Sequence, residues 1–158
     1  MACFFLLSNL CLGREPSGEL PPAIKATLDR RFPGWGFVGV RDEIRHFLRE
    51  RVSAGARPDL VSGDFDGDRR RDYALLVVHN EEVLLLAFLN RGARYKLYEL
   101  GEPGEYLTLG KKGTDGFDFH ADKKFKYAND AIEVWIFEKA GWAYIYDGGK
   151  FRYVYMLD

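Results

Sequence analysis

Cysteine, serine and an excess of either charge are all scarce in this chain, and each scarcity removes a class of function. Lys and Arg number 23 against 24 Asp and Glu, a formal net charge of −1 over 158 residues. That balance gives no electrostatic footprint for nucleic acid or for an anionic membrane. The only cysteines, Cys3 and Cys11, both fall in the first 13 residues. Past that point neither a structural disulfide nor a cysteine nucleophile is expected. Serine occurs only at positions 8, 17, 53 and 62, never in a Gly-x-Ser-x-Gly elbow. No apolar run reaches the roughly 20 residues a helix needs to span a bilayer, and no internal repeat is found.

What is present is a chain long enough for one domain with a core of its own. Hydrophobic residues make up 47% and aromatic residues 15%, a composition that favours strands. Residues 2–13 form an uncharged apolar run of a length that suits the core of a secretory signal, with Gly13 as a small residue before cleavage. The alternative is a buried first strand. The first reading implies a secreted or periplasmic protein. Pro16-Ser17-Gly18 and Pro21-Pro22 mark residues 14–22 as a linker, leaving 23–158 as a single globular domain.

Within that domain the hydrophobic period changes once. Ile24, Leu28 and Phe32 repeat at helical spacing until Pro33-Gly34 stops them, and Ile44, Phe47 and Leu48 form the stripe of a second helix from about Arg41 to Val52. From Asp59 onward the pattern is that of strands. The runs 73–78 and 83–89 are nearly continuous and read as a hairpin of central strands covered on both faces. Segments 94–100, 105–109, 131–138, 142–147 and 150–157 follow. The expected fold is therefore α+β: two N-terminal helices packed on a largely antiparallel sheet of hairpins, too short for a full propeller.

Gly148-Gly149 signals a two-residue hairpin turn, because both central residues of the favoured turn need positive φ. Pairing Asp147 with Lys150 sets Tyr146 opposite Phe151, Tyr144 opposite Tyr153 and Trp142 opposite Tyr155. Six aromatic residues then share one face. That face is either a core layer or a platform for a glycan or a partner protein.

The strongest chemical signal is Asp64-Phe65-Asp66-Gly67-Asp68-Arg69-Arg70-Arg71-Asp72, with carboxylates at loop positions one, three, five and nine. Acidic groups on alternate residues of a tight loop converge and repel, by roughly 1–4 kcal/mol per close pair. A hard divalent ion with oxygen ligands relieves that repulsion. Residues 62–75 resemble the calcium loop of FG-GAP and VCBS-type repeats, the family that includes integrin α-chain propellers. The resemblance implies calcium held by the side chains of Asp64, Asp66, Asp68 and Asp72 and the carbonyl of Arg70, in a loop joining two antiparallel strands. It departs from the family at position six, where Arg69 stands in place of the usual glycine. The alternative is a metal-free turn in which arginines neutralise the aspartates. An EF-hand is disfavoured, because its position twelve is Leu75 here.

Two weaker patterns are set aside. Gly34 to Gly39 match Gly-x-Gly-x-x-Gly literally, but a helix and Pro33 precede them where a dinucleotide site needs a strand. Asp118, His120 and Asp122 alternate as metal ligands can, yet Lys123, Lys124 and Lys126 crowd them. These readings together favour a non-catalytic binding domain with one structural calcium loop and a protein or glycan partner. Left open are a small hydrolase using paired carboxylates, whose separation is a property of the fold, and an inhibitor or immunity-type protein.

Overall fold

The computed structural model describes residues 20–51 and 57–156. The apolar segment 1–13 with both cysteines, most of the linker and the expected helix end at Val52 lie outside the described residues.

Helix α1 (Pro22–Arg31) carries the expected Ile24 and Leu28 repeat and begins at Pro22, the last residue assigned to the linker. Pro22 has no N–H to leave unsatisfied and a φ already suited to a first helical turn. The helix closes with the Phe32 N–H donating to the Leu28 carbonyl, and Gly34 at φ +78 turns the chain away. After the two-residue strand β1 (Gly36–Phe37), helix α2 (Asp42–Arg51) opens with Asp42 and Glu43 against the positive end of its dipole.

All remaining elements are strands, and every pairing is antiparallel. β2 (Leu60–Gly63), β3 (Asp72–His79), β4 (Glu82–Asn90) and β5 (Tyr95–Leu100) join β1 in one five-stranded sheet, ordered β1-β3-β4-β5 with β2 also on β3. β6 (Tyr106–Gly110), β9 (Ala131–Ile136), β10 (Ala140–Asp147) and β11 (Lys150–Met156) form a second sheet, ordered β11-β10-β9-β6. β7 (Asp115–Asp118) and β8 (Lys123–Lys126) make a separate hairpin. Two tight turns carry the adjoining hairpins. Asn80 and Glu81 take φ +49 and +66 between β3 and β4, and Gly148 and Gly149 take +56 and +87 between β10 and β11. Positive φ at both central residues matches the twist of the flanking strands.

The α+β expectation is corrected by this architecture. Antiparallel sheet dominates the described residues, 49% strand against 15% helix, and the main core lies between two sheets rather than between helices and one sheet. Alternate residues of β3 and β4 (Ala74, Leu76, Leu85, Ala87, Leu89) meet Leu107, Ile132, Val134, Trp142 and Tyr144 of the second sheet in a single apolar cluster. The helices do not share a layer. Ile24 and Leu28 of α1 cover the other face of the first sheet, against Leu75, Val77, Leu86 and Phe88. Ile44 and Leu48 of α2 pack with Tyr106 of the second sheet. The physical reason is reach: each helix has ten residues and a narrow stripe, so it covers part of one sheet, while the sheets bury each other.

Gly148-Gly149 does set the aromatic register. Tyr146 pairs with Phe151, Tyr144 with Tyr153 and Trp142 with Tyr155. The β7–β8 hairpin carries the alternating Asp118, His120 and Asp122, with His120 and Asp122 in its turn. Asp118 ends β7 and accepts from the Ala121 N–H at 3.0 Å, while His120 stacks on Tyr155.

Leu28 is wholly buried where α1 meets the first sheet. Leu28→Ala is expected to lower the unfolding free energy by about 2–5 kcal/mol in urea titrations, the usual cost of emptying such a site.

Candidate metal centre

The acidic loop bridges β2 and β3 at one end of the first sheet. Its alternation does two jobs. Phe65, the residue between the first two aspartates, is fully buried in the inter-sheet core, which fixes Asp64 and Asp66 on the loop's other side. Gly67 at φ +80 and Arg69 at φ +67 then bend the chain back toward β3. A side chain at Gly67 would also collide with Asn129, whose Oδ1 lies 2.6 Å from where a Cβ would be.

Asp72, the first residue of β3, is the anchor. Its Oδ2 accepts from the Phe65 N–H at 2.8 Å and its Oδ1 from the Asn90 N–H at 2.7 Å. The carboxylate is completely shielded from solvent. Burial pushes its pKa up to about 6, with the charges of Asp66 and Asp68 adding to the rise and the two backbone donors opposing it.

Asp64 accepts from the Arg69 N–H at 3.0 Å through Oδ2. Its Oδ1 is buried and has no hydrogen-bond partner among the described residues. The backbone of Asp64 is clasped by Asp130 from the loop before β9. The Asp64 N–H donates to Asp130 Oδ2 at 2.9 Å, and the Asp130 N–H donates back to the Asp64 carbonyl at 3.2 Å. Asp130 Oδ1 accepts from the Lys112 N–H at 3.0 Å. The loop is thereby tied to both sheets.

Ligand atoms of Asp64, Asp66 and Asp72 all lie within 4.8 Å of one another, so these three residues form a cluster able to hold a metal ion. The donor set is oxygen alone, which suits a hard cation. An ion with oxygens at roughly 2.3–2.6 Å keeps opposite ligands about 5 Å apart at most, so the spacing fits. Without a cation, each ionised pair at this separation repels by roughly 3–4 kcal/mol at an effective dielectric of 20. Asp64, whose Oδ1 is unpartnered, is a member of this cluster.

Asp68 stands apart from the three. Its Oδ1 accepts from the Arg70 N–H at 2.9 Å, and its Oδ2 lies 3.5 Å from the Arg70 guanidinium and 3.9 Å from that of Arg91. Arg70 itself is exposed beside Asp68. The guanidinium that enters the cluster comes from elsewhere: Arg91, in the turn between β4 and β5, pairs with Asp66. Arg91, Asn129 and Asp130 escaped the sequence reading. Nothing in the local run Asn90-Arg91-Gly92 marks a counter-ion, since its partner is 25 residues away.

The aromatic face is divided. Trp142 and Tyr144 are buried in the inter-sheet core, Tyr146, Phe151 and Tyr155 are half-buried, and Tyr153 is 40% exposed, stacked on Trp142. No helix among the described residues is long and apolar enough to cross a membrane.

Two outcomes are expected. Arg69→Gly removes the left-handed strain of a side chain at φ +67 while keeping the N–H that Asp64 accepts. It should raise unfolding stability by about 1 kcal/mol in denaturant titrations. In metal-free buffer, Asp72 favours its protonated form in the fold, because its pKa rises from 3.8 to about 6. That contribution is complete below pH 4 and is lost as pH rises through about 6. Melting temperatures of metal-free protein should therefore show a falling component across that window, absent from Asp72→Asn. The variant starts lower, because an amide cannot accept from both backbone donors.

Comparison with protein-family models, with curated proteins and with solved structures finds nothing that matches this chain.

Proposed function

We propose that this chain is a secreted or periplasmic, non-catalytic binding domain whose acidic loop holds one structural calcium ion. The observation that carries the reading is the convergence of Asp64, Asp66 and Asp72 with Asp64 Oδ1 buried and unpartnered. The likeness of residues 62–75 to the FG-GAP calcium loop supports it, as does the all-oxygen donor set. Calcium would serve the fold here. The loop carries Phe65 into the core and is held by Asp130 across to the second sheet, so an ion at the three carboxylates would fasten one sheet to the other. An exported protein meets calcium at concentrations that fill even weak oxygen sites, and the apolar run at 2–13 suits that destination.

A protein or glycan partner is the ligand class that fits best. Tyr153 is the aromatic residue of the terminal hairpin that water reaches most readily, with Trp142 stacked beneath it and the half-buried rings of Phe151 and Tyr155 on the same strand. A ring exposed on a rigid strand and backed by a second ring loses little freedom when a sugar or a partner side chain stacks on it.

Calorimetry with and without calcium tests the metal reading. At calcium about 100-fold above its dissociation constant, binding adds roughly 2.7 kcal/mol. For a chain of this size that raises the melting temperature by about 5–10 °C. Asp66→Ala should abolish the rise, and magnesium should reproduce little of it. A melting temperature indifferent to millimolar calcium would exclude the ion.

A further inference from the structure

The Asp66 side chain is only 4% exposed, and the cation on it belongs to the protein: the guanidinium of Arg91. Arg91 is placed there by its backbone. Its N–H donates to the Arg94 carbonyl at 2.8 Å in the β4–β5 turn, and the neighbouring Asn90 N–H is bonded to Asp72. The same carboxylate that anchors the acidic loop therefore positions the turn that supplies its counter-ion. Beyond Asp66, the other terminal nitrogen of Arg91 donates to the Tyr146 hydroxyl at 3.3 Å, and that oxygen lies 3.2 Å from the Tyr98 hydroxyl.

We propose that Arg91 is a built-in cation that holds Asp66 in the metal-free protein and yields it to a divalent ion, so that metal binding is transmitted to the Tyr98–Tyr146 pair. The inference rests on the metal reading above and adds a competitor to it. One carboxylate cannot serve a guanidinium and a divalent ion at full strength, because the two cations repel at contact range in a shielded site. Arg91 keeps the metal-free loop folded by offsetting part of the repulsion among the aspartates. It also weakens the ion's hold, since part of the binding free energy goes into displacing it. The turn backbone stays in place during the exchange. The side chain swings away from Asp66, and its bond to the Tyr146 hydroxyl changes with it. This couples the acidic loop to the Tyr98, Tyr146 and Phe151 ring cluster, where Tyr98 and Tyr146 come from different sheets.

The test compares wild type with Arg91→Gln and Arg91→Lys in calcium chloride titrations by calorimetry. Circular dichroism verifies folding, and ring proton spectra follow Tyr98 and Tyr146. Arg91→Gln should bind calcium at least tenfold more tightly than wild type and melt earlier without metal. Arg91→Lys, which keeps a charge but loses the planar fork, should fall between and guard against a glutamine variant that does not fold. Calcium should shift the Tyr146 ring signals of wild type and leave those of Arg91→Gln nearly still. Calcium binding to Arg91→Gln alone would support the exchange in its strongest form. Equal affinities in all three proteins would overturn the exchange and leave the calcium site standing. Absence of binding in all three would overturn the calcium site and the exchange with it.

Discussion

The buried carboxylate of Asp72 is the point from which the rest of the site hangs. Its two oxygens accept from the N–H groups of Phe65 and Asn90, joining the acidic loop, strand β3 and the β4–β5 turn at one residue. A carboxylate that accepts two backbone bonds in a shielded place is strongly oriented, and removing it would leave both donors orphaned. Phe65 can then enter the core between the sheets while Asp64 and Asp66 are held outside it. The acidic cluster is a consequence of that anchoring as much as of sequence spacing.

Holding three carboxylates together costs electrostatic free energy, and the protein meets that cost in several ways at once. Backbone N–H groups bond to Asp64, Asp66, Asp68 and Asp72, Arg70 sits beside Asp68, and Arg91 sits on Asp66. Asp64 Oδ1 is the buried carboxylate oxygen without a hydrogen-bond partner among the described residues. A cluster that keeps a buried unsatisfied oxygen beside internal cations has room for either solution, internal cations or an external ion. The choice between a calcium loop and an arginine-neutralised turn is therefore less sharp than the sequence alone suggests. Both kinds of partner address the same oxygens.

Much of the secondary structure was legible. The Ile24 and Leu28 repeat marks α1, the runs 73–78 and 83–89 pair as a hairpin, and the register of β10 on β11 follows from Gly148-Gly149. The layer arrangement was not legible. Nearly continuous apolar runs such as 73–78 and 83–89 announce burial on both faces, but they do not say whether a helix or a second sheet lies on each. Here α1 covers one face and the second sheet the other. The β7–β8 hairpin was hidden because its lysines and aspartates lack the alternation of a half-buried strand.

By itself the sequence determined the features that depend on neighbours within a few residues: helix starts, turn conformations, strand alternation and the spacing of carboxylates in one loop. Backbone sterics and local hydrogen bonds set these, and they act at short separation along the chain. Tertiary structure alone decided which carboxylates converge, that Arg91 reaches Asp66, and that Asp130, 66 residues beyond Asp64, clasps the loop to the second sheet. The Arg91–Asp66 pair forms only once β4 has paired with β3, and the Asp130 clasp only once the two sheets have packed against each other. Their geometry is set by the burial of Phe65, Leu76, Trp142 and their neighbours, which no local pattern encodes.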